Sequence, residues 1–160
     1  MTVYLVRHAQ AGTQASWGGL DDIARPLTRE GRHQGADIVE VLGEPGFAVG
    51  TVRSSPFRRC IETVAPLAAA LGLLVQIDPS LGEGSIDKAV ELTRKSWGSG
   101  TVLCSHGDVI PAVLRALQRE DGLDIGRDPK CQKASIWILE SSSTARRFSS
   151  ARYVPAPRAR

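Results

Sequence analysis

Long apolar runs are missing from this sequence, and histidines and aromatic residues are few. No apolar run approaches the roughly 20 residues that a membrane-spanning helix needs, so we predict no membrane partner. The opening segment MTVYLVRHAQ reaches Arg7 and His8 before a secretory signal has formed, which predicts a cytoplasmic location. The chain still has 42% apolar residues in 160, so it has room for one domain with a sizeable core. This composition is not that of a disordered protein.

Cysteine is also scarce, and its spacing excludes two classes of small protein. Cys60, Cys104 and Cys131 are odd in number, far apart and without a Cys-x-x-Cys pair, which argues against a disulfide framework and a zinc cluster. We therefore predict buried free thiols in a reducing compartment. No His-x-x-x-His, Asp-x-His or paired carboxylate motif accompanies the histidines, so we predict neither a metal nor another cofactor.

The positive charge is confined to one end of the chain. The net charge is +3 and the isoelectric point is about 9.0. Five of the 20 basic residues and none of the 17 acidic residues lie in Thr144–Arg160, so the rest of the chain carries −2. We predict a domain over residues 1–143, then a basic segment over 144–160 with a short last strand and a solvated tail. A nucleic-acid-binding arm is the alternative, but Phe148 and Tyr153 are the segment's only aromatic residues, so we predict no nucleic-acid partner.

Predicted strands alternate with predicted helices along the chain. The strands are expected at Thr2–Val6, Val49–Arg53, Leu73–Ile77, Gly100–Ser105 and Ala134–Leu139, with a further short strand around Arg146–Ser150 after a turn at Ser141–Ser143. The helices are expected from Thr28 to Gly43, from Ser55 to Gly72 with a kink or interruption at Pro66, over Ile86–Trp97, and over Val109–Arg119. Their predicted N-caps are Thr28, Ser55, Ser85 and Asp108. The alternation predicts a three-layer α/β/α sandwich with a mainly parallel central sheet.

Charged side chains follow three of these strands. Arg7 and His8 follow the first strand, Arg59 comes shortly after the second, and His106 and Gly107 follow the GTVLCS strand. Ligands bind beyond the carboxyl ends of parallel strands, so we expect these residues to meet at one edge. Arginine forks match phosphate oxygens, and a neutral imidazole is a good nucleophile towards phosphorus.

The phosphoryl hypothesis also needs a proton donor, and the two histidines have two other interpretations. Glu83 lies in the loop after the Leu73–Ile77 strand and would suit general acid catalysis if partly desolvated. His8 and His106 could instead hold a metal, although neighbouring arginines would repel a cation. The third interpretation is that both histidines are only packed at strand ends.

The same residues resemble the histidine phosphatase superfamily, which contains phosphoglycerate mutases and acid phosphatases. Four motifs occur in the expected order over most of the chain: Leu5-Val6-Arg7-His8-Ala9, Arg25-Pro26-Leu27-Thr28-x-x-Gly31, Ser54-Ser55-Pro56-Phe57-Arg58-Arg59-Cys60-x-x-Thr63 and Ser105-His106-Gly107. The short length resembles the small SixA-type branch. Further segments, among them Lys133-Ala134-Ser135-x-Trp137, resemble the phosphatase domain fused behind a Nudix domain in actinobacterial nucleotide-cleaning enzymes.

The resemblance implies a role for each of these residues. His8 would be the nucleophile that becomes phosphorylated, Arg7 and Arg59 would bind the phosphoryl oxygens, and His106 would complete the pocket. Glu83 would be the proton donor. Contacts with the substrate would come from Arg25, Lys133 and Gly107, whereas Arg58 and His33 are expected to be solvated.

The function implied is metal-independent hydrolysis of a terminal phosphoryl group through a phosphohistidine. The substrate would be a small phosphomonoester, a nucleotide or a phosphohistidine protein. A phosphoglycerate mutase-type phosphotransferase and a non-catalytic phosphate-binding module are the alternatives.

Overall fold

A six-stranded sheet with helices on both faces forms the body of the protein. The computed structural model describes residues 1–18, 21–96, 100–141 and 147–157. The strands there are β1 (Thr2–Arg7), β2 (Thr51–Ser54), β3 (Val75–Ile77), β4 (Thr101–Ser105), β5 (Ile136–Ser141) and β6 (Phe148–Val154). The helices are α1 (Arg29–Leu42), α2 (Arg58–Ala70), α3 (Ile86–Lys95) and α4 (Val109–Asp121), with short 3-10 turns at Asp22–Ala24 and Pro79–Leu81. None of these helices is long and apolar enough to span a bilayer.

The sheet is mainly parallel, and its strands lie in the order β3-β2-β4-β1-β5-β6. The first four of these strands run parallel, whereas β5 pairs antiparallel with β1 and β6 pairs antiparallel with β5. Parallel strands bring their carboxyl ends to the same edge, so the residues after β1, β2 and β4 meet there. The predicted fold class is confirmed.

Two apolar cores fill the space between the sheet and its helices. Side chains alternate along each strand, so Tyr4 and Val6 enter one core while Val3 and Leu5 enter the other. Helices α1 and α2 close the first core, and α3 and α4 close the second. Burial on both faces explains why β1 and β4 are almost continuously apolar in sequence.

The helix starts follow the predicted caps only in part. Thr28 caps α1 as predicted, because its hydroxyl accepts a hydrogen bond from the backbone N–H of Gly31. Helix α2 begins two residues later than expected, with Phe57 as its N-cap, and the Ser55 hydroxyl bonds to His106 Nε2 and accepts from the Phe57 N–H. Ser85 and Asp108 precede α3 and α4 without a side-chain cap bond.

Helix α2 also continues through Pro66, so the predicted interruption there is wrong. A proline removes one hydrogen bond, but the buried face of the helix extends across it from Val64 to Leu67 and Ala68. Burial of this face against the sheet outweighs the lost bond.

The basic end of the chain joins the sheet. The short last strand expected near residues 146–150 is the seven-residue β6, and Phe148 packs into the second core. This pairing makes part of the segment a sheet edge and not a solvated tail. Residues 142–143 of the predicted turn, Arg146, Trp97 at the predicted helix end and residues 158–160 lie outside the described residues.

Candidate active site

The carboxyl ends of β1, β2 and β4 open into a cavity of about 500 Å³. All eight predicted site residues line it: Arg7, His8, Arg25, Arg59, Glu83, His106, Gly107 and Lys133. The wall also contains four residues that the sequence analysis did not select, namely Gly12, Thr13, Gln14 and Asp108. Strand order therefore brings the two histidines and the arginines together as expected.

His8 is buried and held in one tautomer. Its Nδ1 lies 2.7 Å from the Ala9 carbonyl oxygen, which can only accept, so Nδ1 carries the proton and Nε2 keeps its lone pair. Burial is the main cause that lowers the pKa of His8, and together with the nearby charges of His106, Arg59 and Arg7 it brings the value to about 3, against the Ala9 hydrogen bond, which raises it. The ring is consequently neutral at physiological pH, the state required of a nucleophile.

The backbone around His8 is fixed by two neighbouring elements. The His8 N–H donates to the Ser105 carbonyl at 3.0 Å, which ties it to the end of β4. The Ala9 N–H donates to the Thr63 hydroxyl at 2.9 Å, and that hydroxyl donates to the Arg59 carbonyl at 2.6 Å. Thr63 thus couples the positions of His8 and Arg59, a role that its place in the motif did not reveal.

Arg59 is the most deeply buried cation of the site, with a side chain 2% exposed. It projects from the first turn of α2, stacks on the Phe57 ring at 4.8 Å, and bonds through Nη2 to Glu83 Oε1 at 2.6 Å. Its Nη1 lies 3.2 Å from Asp22 Oδ2 and donates to the Asp22 carbonyl. The Nε of this guanidinium is buried without a hydrogen-bond partner.

Arg7 lies so close to the backbone of Gly107 that a larger residue there would displace its guanidinium. A Cβ built at Gly107 would lie 2.7 Å from Arg7 Cζ, so the end of the arginine side chain would have to move. Arg7 Nη1 donates to the Cys131 carbonyl at 2.5 Å, while its Nε is buried without a hydrogen-bond partner among the described residues. Gly107 therefore acts by making room for the guanidinium.

His106 presents one ring nitrogen to a hydroxyl and the other to a carboxylate. Its Nε2 lies 2.8 Å from Ser55 Oγ and 3.5 Å from Cys60 Sγ. Its buried Nδ1 lies 3.5 Å from Glu83 Oε1 but makes no hydrogen bond within the described part of the chain. The ring stands edge-on to His8, with 5.5 Å between their centroids. One buried nitrogen each on Arg7, Arg59 and His106 thus has no hydrogen-bond partner among the described residues, and anionic oxygens would satisfy these nitrogens.

The cysteines lie beneath the site and beside it. Burial raises the pKa of Cys60, but hydrogen bonds with Cys104 and His106 outweigh this and bring it to about 6. Cys60 and Cys104 are buried free thiols, as predicted, whereas Cys131 is only half-buried. Within residues 1–18, 21–96, 100–141 and 147–157, no three His, Cys, Asp or Glu side chains are grouped as a metal site requires.

Three further residues considered in the sequence lie at the edge of the cavity or outside it. Arg25 bonds through Nε to Asp22 at 2.9 Å and through Nη1 to the carbonyl of Gly12 at 2.6 Å, so it braces the loop wall. Arg58 is exposed and pairs with Glu62 at 3.3 Å, and His33 is exposed on α1.

Comparison with known families agrees with this geometry. The model of the histidine phosphatase superfamily (branch 1) matches residues 3–95. The chain belongs to the histidine phosphatase superfamily. This membership confirms the family that the motifs predicted.

The relatives of this chain include a bacterial nucleotide phosphatase. An 8-oxo-(d)GTP phosphatase of Mycolicibacterium smegmatis is 33% identical over an aligned length of 152 positions, and the match covers 88% of this chain and 44% of that protein. The chain therefore spans less than half the length of this curated relative.

Solved structures share its fold. The protein histidine phosphatase SixA complexed with tungstate superposes with a TM-score of 0.72 at 19% identity, covering 94% of this chain and 96% of SixA. A mycobacterial glucosyl-3-phosphoglycerate phosphatase has a TM-score of 0.68 at 19% identity, with 96% of each chain covered.

Proposed function

We propose that this histidine phosphatase hydrolyses a terminal phosphoryl group through a phosphohistidine at His8, without a metal ion. The observation that supports this proposal best is the His8 tautomer. His8 Nδ1–H donates a hydrogen bond to the Ala9 carbonyl, so Nε2 keeps the lone pair of a neutral ring beside Arg7, Arg59 and His106. This combines an activated nucleophile with positive charge for the phosphoryl oxygens.

The reaction proceeds in two displacements. In the first, His8 Nε2 forms a bond to phosphorus while the bond from phosphorus to the leaving atom breaks, and Glu83 gives that atom a proton; the atom is oxygen in a phosphate ester or nucleotide and nitrogen in a phosphohistidine. In the second, water attacks phosphorus, the bond between His8 and phosphorus breaks, and Glu83 takes a proton from the water. The products are the protonated leaving group, orthophosphate and the original enzyme. Arg7, Arg59 and His106 stabilise the charge on the phosphoryl oxygens in both steps.

Glu83 supports this scheme by its position. Its carboxylate contacts Arg59 and lies near His106 Nδ1, so it occupies the space beside the groups that would hold the phosphoryl oxygens. Phosphoryl oxygens binding to Arg59 would replace Glu83 there and release the carboxyl group to carry a proton. Gly82 and Gly84 flank Glu83, and Gly84 has a positive φ of 75°, which suits a loop that turns sharply.

The substrate is a phosphorylated small molecule, a nucleotide or a phosphohistidine protein. The nucleotide phosphatase of M. smegmatis, similar over 88% of this chain, supports the nucleotide, and the fold shared with SixA supports the protein substrate. We place the enzyme in the cytoplasm, with no nucleic-acid partner.

The test is hydrolysis of p-nitrophenyl phosphate in EDTA by the wild type, His8→Ala and the control His33→Ala. We expect turnover in the wild type and in His33→Ala, a radiolabelled phosphoryl group trapped on the wild type, and neither turnover nor label in His8→Ala. Activity retained by His8→Ala would contradict the assignment of the nucleophile.

The same assay separates the two alternatives. Transfer of the phosphoryl group to an added alcohol in preference to water would indicate a mutase-type phosphotransferase. Binding of orthophosphate without turnover or labelling would indicate a non-catalytic module.

A further inference from the structure

One wall of the cavity carries a lysine whose backbone is fastened to the catalytic strand. The Ala134 N–H, next to Lys133, donates to the carbonyls of Arg7 at 3.1 Å and His8 at 3.2 Å. The Arg7 N–H donates to the Ser135 carbonyl at 3.1 Å, and the Arg7 guanidinium bonds to the Cys131 carbonyl. The segment around Lys133 is therefore held in register with the nucleophile.

The conformation of this segment is unusual. Ala134 has a φ of 64°, the only positive φ of a non-glycine residue in the described part of the chain, and it is buried. Side chains other than glycine rarely adopt this backbone region, and such strain persists where surrounding bonds over-determine it. Here the bonds that hold Ala134 are those to Arg7 and His8, so the strained turn fixes Lys133 at the cavity wall.

Lys133 is also a cation without a counter-ion. Over the described ranges it makes no ion pair or hydrogen bond, whereas Asp22 pairs with Arg25 and Arg59, and Glu83 pairs with Arg59. Burial lowers the pKa of Lys133, and the charges of Arg7, Arg25 and Arg59 lower it further. The lysine thus faces a cluster of positive charge with no carboxylate of its own.

The cavity wall holds more basic side chains than one phosphoryl group requires. Arg7, Arg59 and His106 surround His8 and suffice for the three phosphoryl oxygens. Arg25 is committed to Asp22 and to the Gly12 carbonyl. Lys133 is left for a different anion in the same cavity, whose volume of about 500 Å³ extends beyond these side chains to Gly12, Thr13 and Gln14.

We propose that Lys133 binds a second phosphate group of the substrate, so that the site takes a terminal phosphoryl group carried on another phosphate, as in a nucleoside diphosphate. This inference rests on the proposed function for the identity of the scissile group. It narrows the substrate class from any phosphorylated compound to a diphosphate ester.

The test measures binding of two unreactive ligands by titration calorimetry: methylphosphonate, with one anionic group, and methylenediphosphonate, with two. The wild type should bind the diphosphonate about tenfold more tightly or better, the gain expected of one charge-assisted hydrogen bond. Lys133→Gln should lose this preference, and Lys133→Arg should keep most of it. Lys130→Gln, an exposed lysine in the same segment that does not line the cavity, is the matched control.

Two outcomes of the titration would overturn the proposal. Equal affinity of the wild type for both ligands would show that no second site exists. Equal weakening of both ligands in Lys133→Gln would show that the lysine contacts the scissile group instead.

Turnover distinguishes this inference from the proposed function. With the proposal correct, Lys133→Gln loses about tenfold or more in kcat/KM for GDP and about twofold or less for p-nitrophenyl phosphate. If the enzyme hydrolyses both substrates and Lys133→Gln loses kcat/KM equally for both, the second phosphate site is overturned and the proposed function stands. Ligand preference without any hydrolysis would overturn the proposed function and leave the binding site standing.

Discussion

The floor of the cavity and its rim differ in burial and in the elements that supply them. The floor consists of His8, Arg59 and His106, which are 7%, 1% and 1% exposed. The rim consists of exposed residues on loops and a helix start, namely Thr13, Gln14, Glu83, Asp108 and Lys133. Strand ends and the first turn of α2 hold the floor, whereas loops and the start of α4 supply the rim. From this contrast we predict that the groups that hold the phosphoryl oxygens belong to the scaffold, and that the proton donor and the choice of substrate belong to the loops.

The floor is rigid because its polar groups bond to one another across the sheet. Thr63 joins Ala9 to Arg59, and the Ser105 hydroxyl donates to the Leu81 carbonyl at 2.6 Å. The rim is held by bonds within its loops and by bonds to neighbouring elements. The Ser16 hydroxyl donates to the Thr13 carbonyl at 2.8 Å, and the Gly84 N–H donates to the Asp108 carboxylate at 3.0 Å, which holds the loop that carries Glu83.

The largest loss of activity should follow substitution of Arg59, in the floor, and should not follow substitution of the adjacent Arg58, outside it. Arg59→Met should lower kcat/KM for p-nitrophenyl phosphate roughly 10³-fold, because the variant loses the charge facing the phosphoryl oxygens. Arg58→Met should stay within about twofold, since Arg58 is exposed and pairs only with Glu62. Comparable losses in the two variants, at unchanged thermal midpoints, would break the distinction between floor and surroundings.

The loss of activity on substitution of Glu83, a rim residue, should depend on the leaving group of the substrate. Glu83→Gln should lower kcat for an alkyl phosphomonoester about 10²-fold, because an alkoxide needs a proton as it leaves. The loss on p-nitrophenyl phosphate should be about tenfold or less, since nitrophenolate leaves without one. A loss that does not depend on the leaving group would show that Glu83 is not the proton donor.

A smaller effect should come from crowding the floor by one methyl group. Gly107→Ala should lower kcat/KM about tenfold, because the new Cβ pushes the Arg7 guanidinium out of position. The thermal midpoint should change little, since the displaced atoms end a flexible side chain. Gly46→Ala, where a Cβ meets nothing within 4 Å, should alter neither quantity. If Gly107→Ala is fully active, Arg7 does not need its present position.

The smallest effect concerns stability and sharpens the claim that His8 is buried. In the unfolded chain the His8 ring becomes protonated as the pH falls below its ordinary pKa of 6.5. In the folded protein the ring stays neutral until the pH falls to about 3. The unfolded state therefore binds more protons in this window, and stability falls as pH is lowered through it.

Urea denaturation at pH 7 and pH 4.5 measures this contribution. The free energy of unfolding should fall by roughly 2 kcal/mol more in the wild type than in His8→Gln, which cannot titrate there. His33→Gln, at an exposed site, should behave like the wild type. Identical pH dependence in all three proteins would show that His8 is not shielded from protonation.

Much of the fold was predictable because its signals are local. Apolar runs marked five of the six described strands, and Thr28 and Gly43 marked both ends of α1. The start of α2 was not predictable from Ser55, because the helix begins two residues later and the Ser55 hydroxyl also bonds to a histidine 51 positions away. Continuation of α2 through Pro66 likewise depended on a core that forms only in the folded chain.

The sequence by itself determined which chemical groups follow each strand. The positions of the strands along the chain and the type of each side chain are local features that the sequence shows directly. Only the tertiary structure decided their states and pairings. The His8 tautomer, the Thr63 link to Arg59, the Glu83 contact with Arg59 and the place of Lys133 arise from burial and from hydrogen bonds between distant segments. Such bonds depend on distances between segments, which no local pattern specifies.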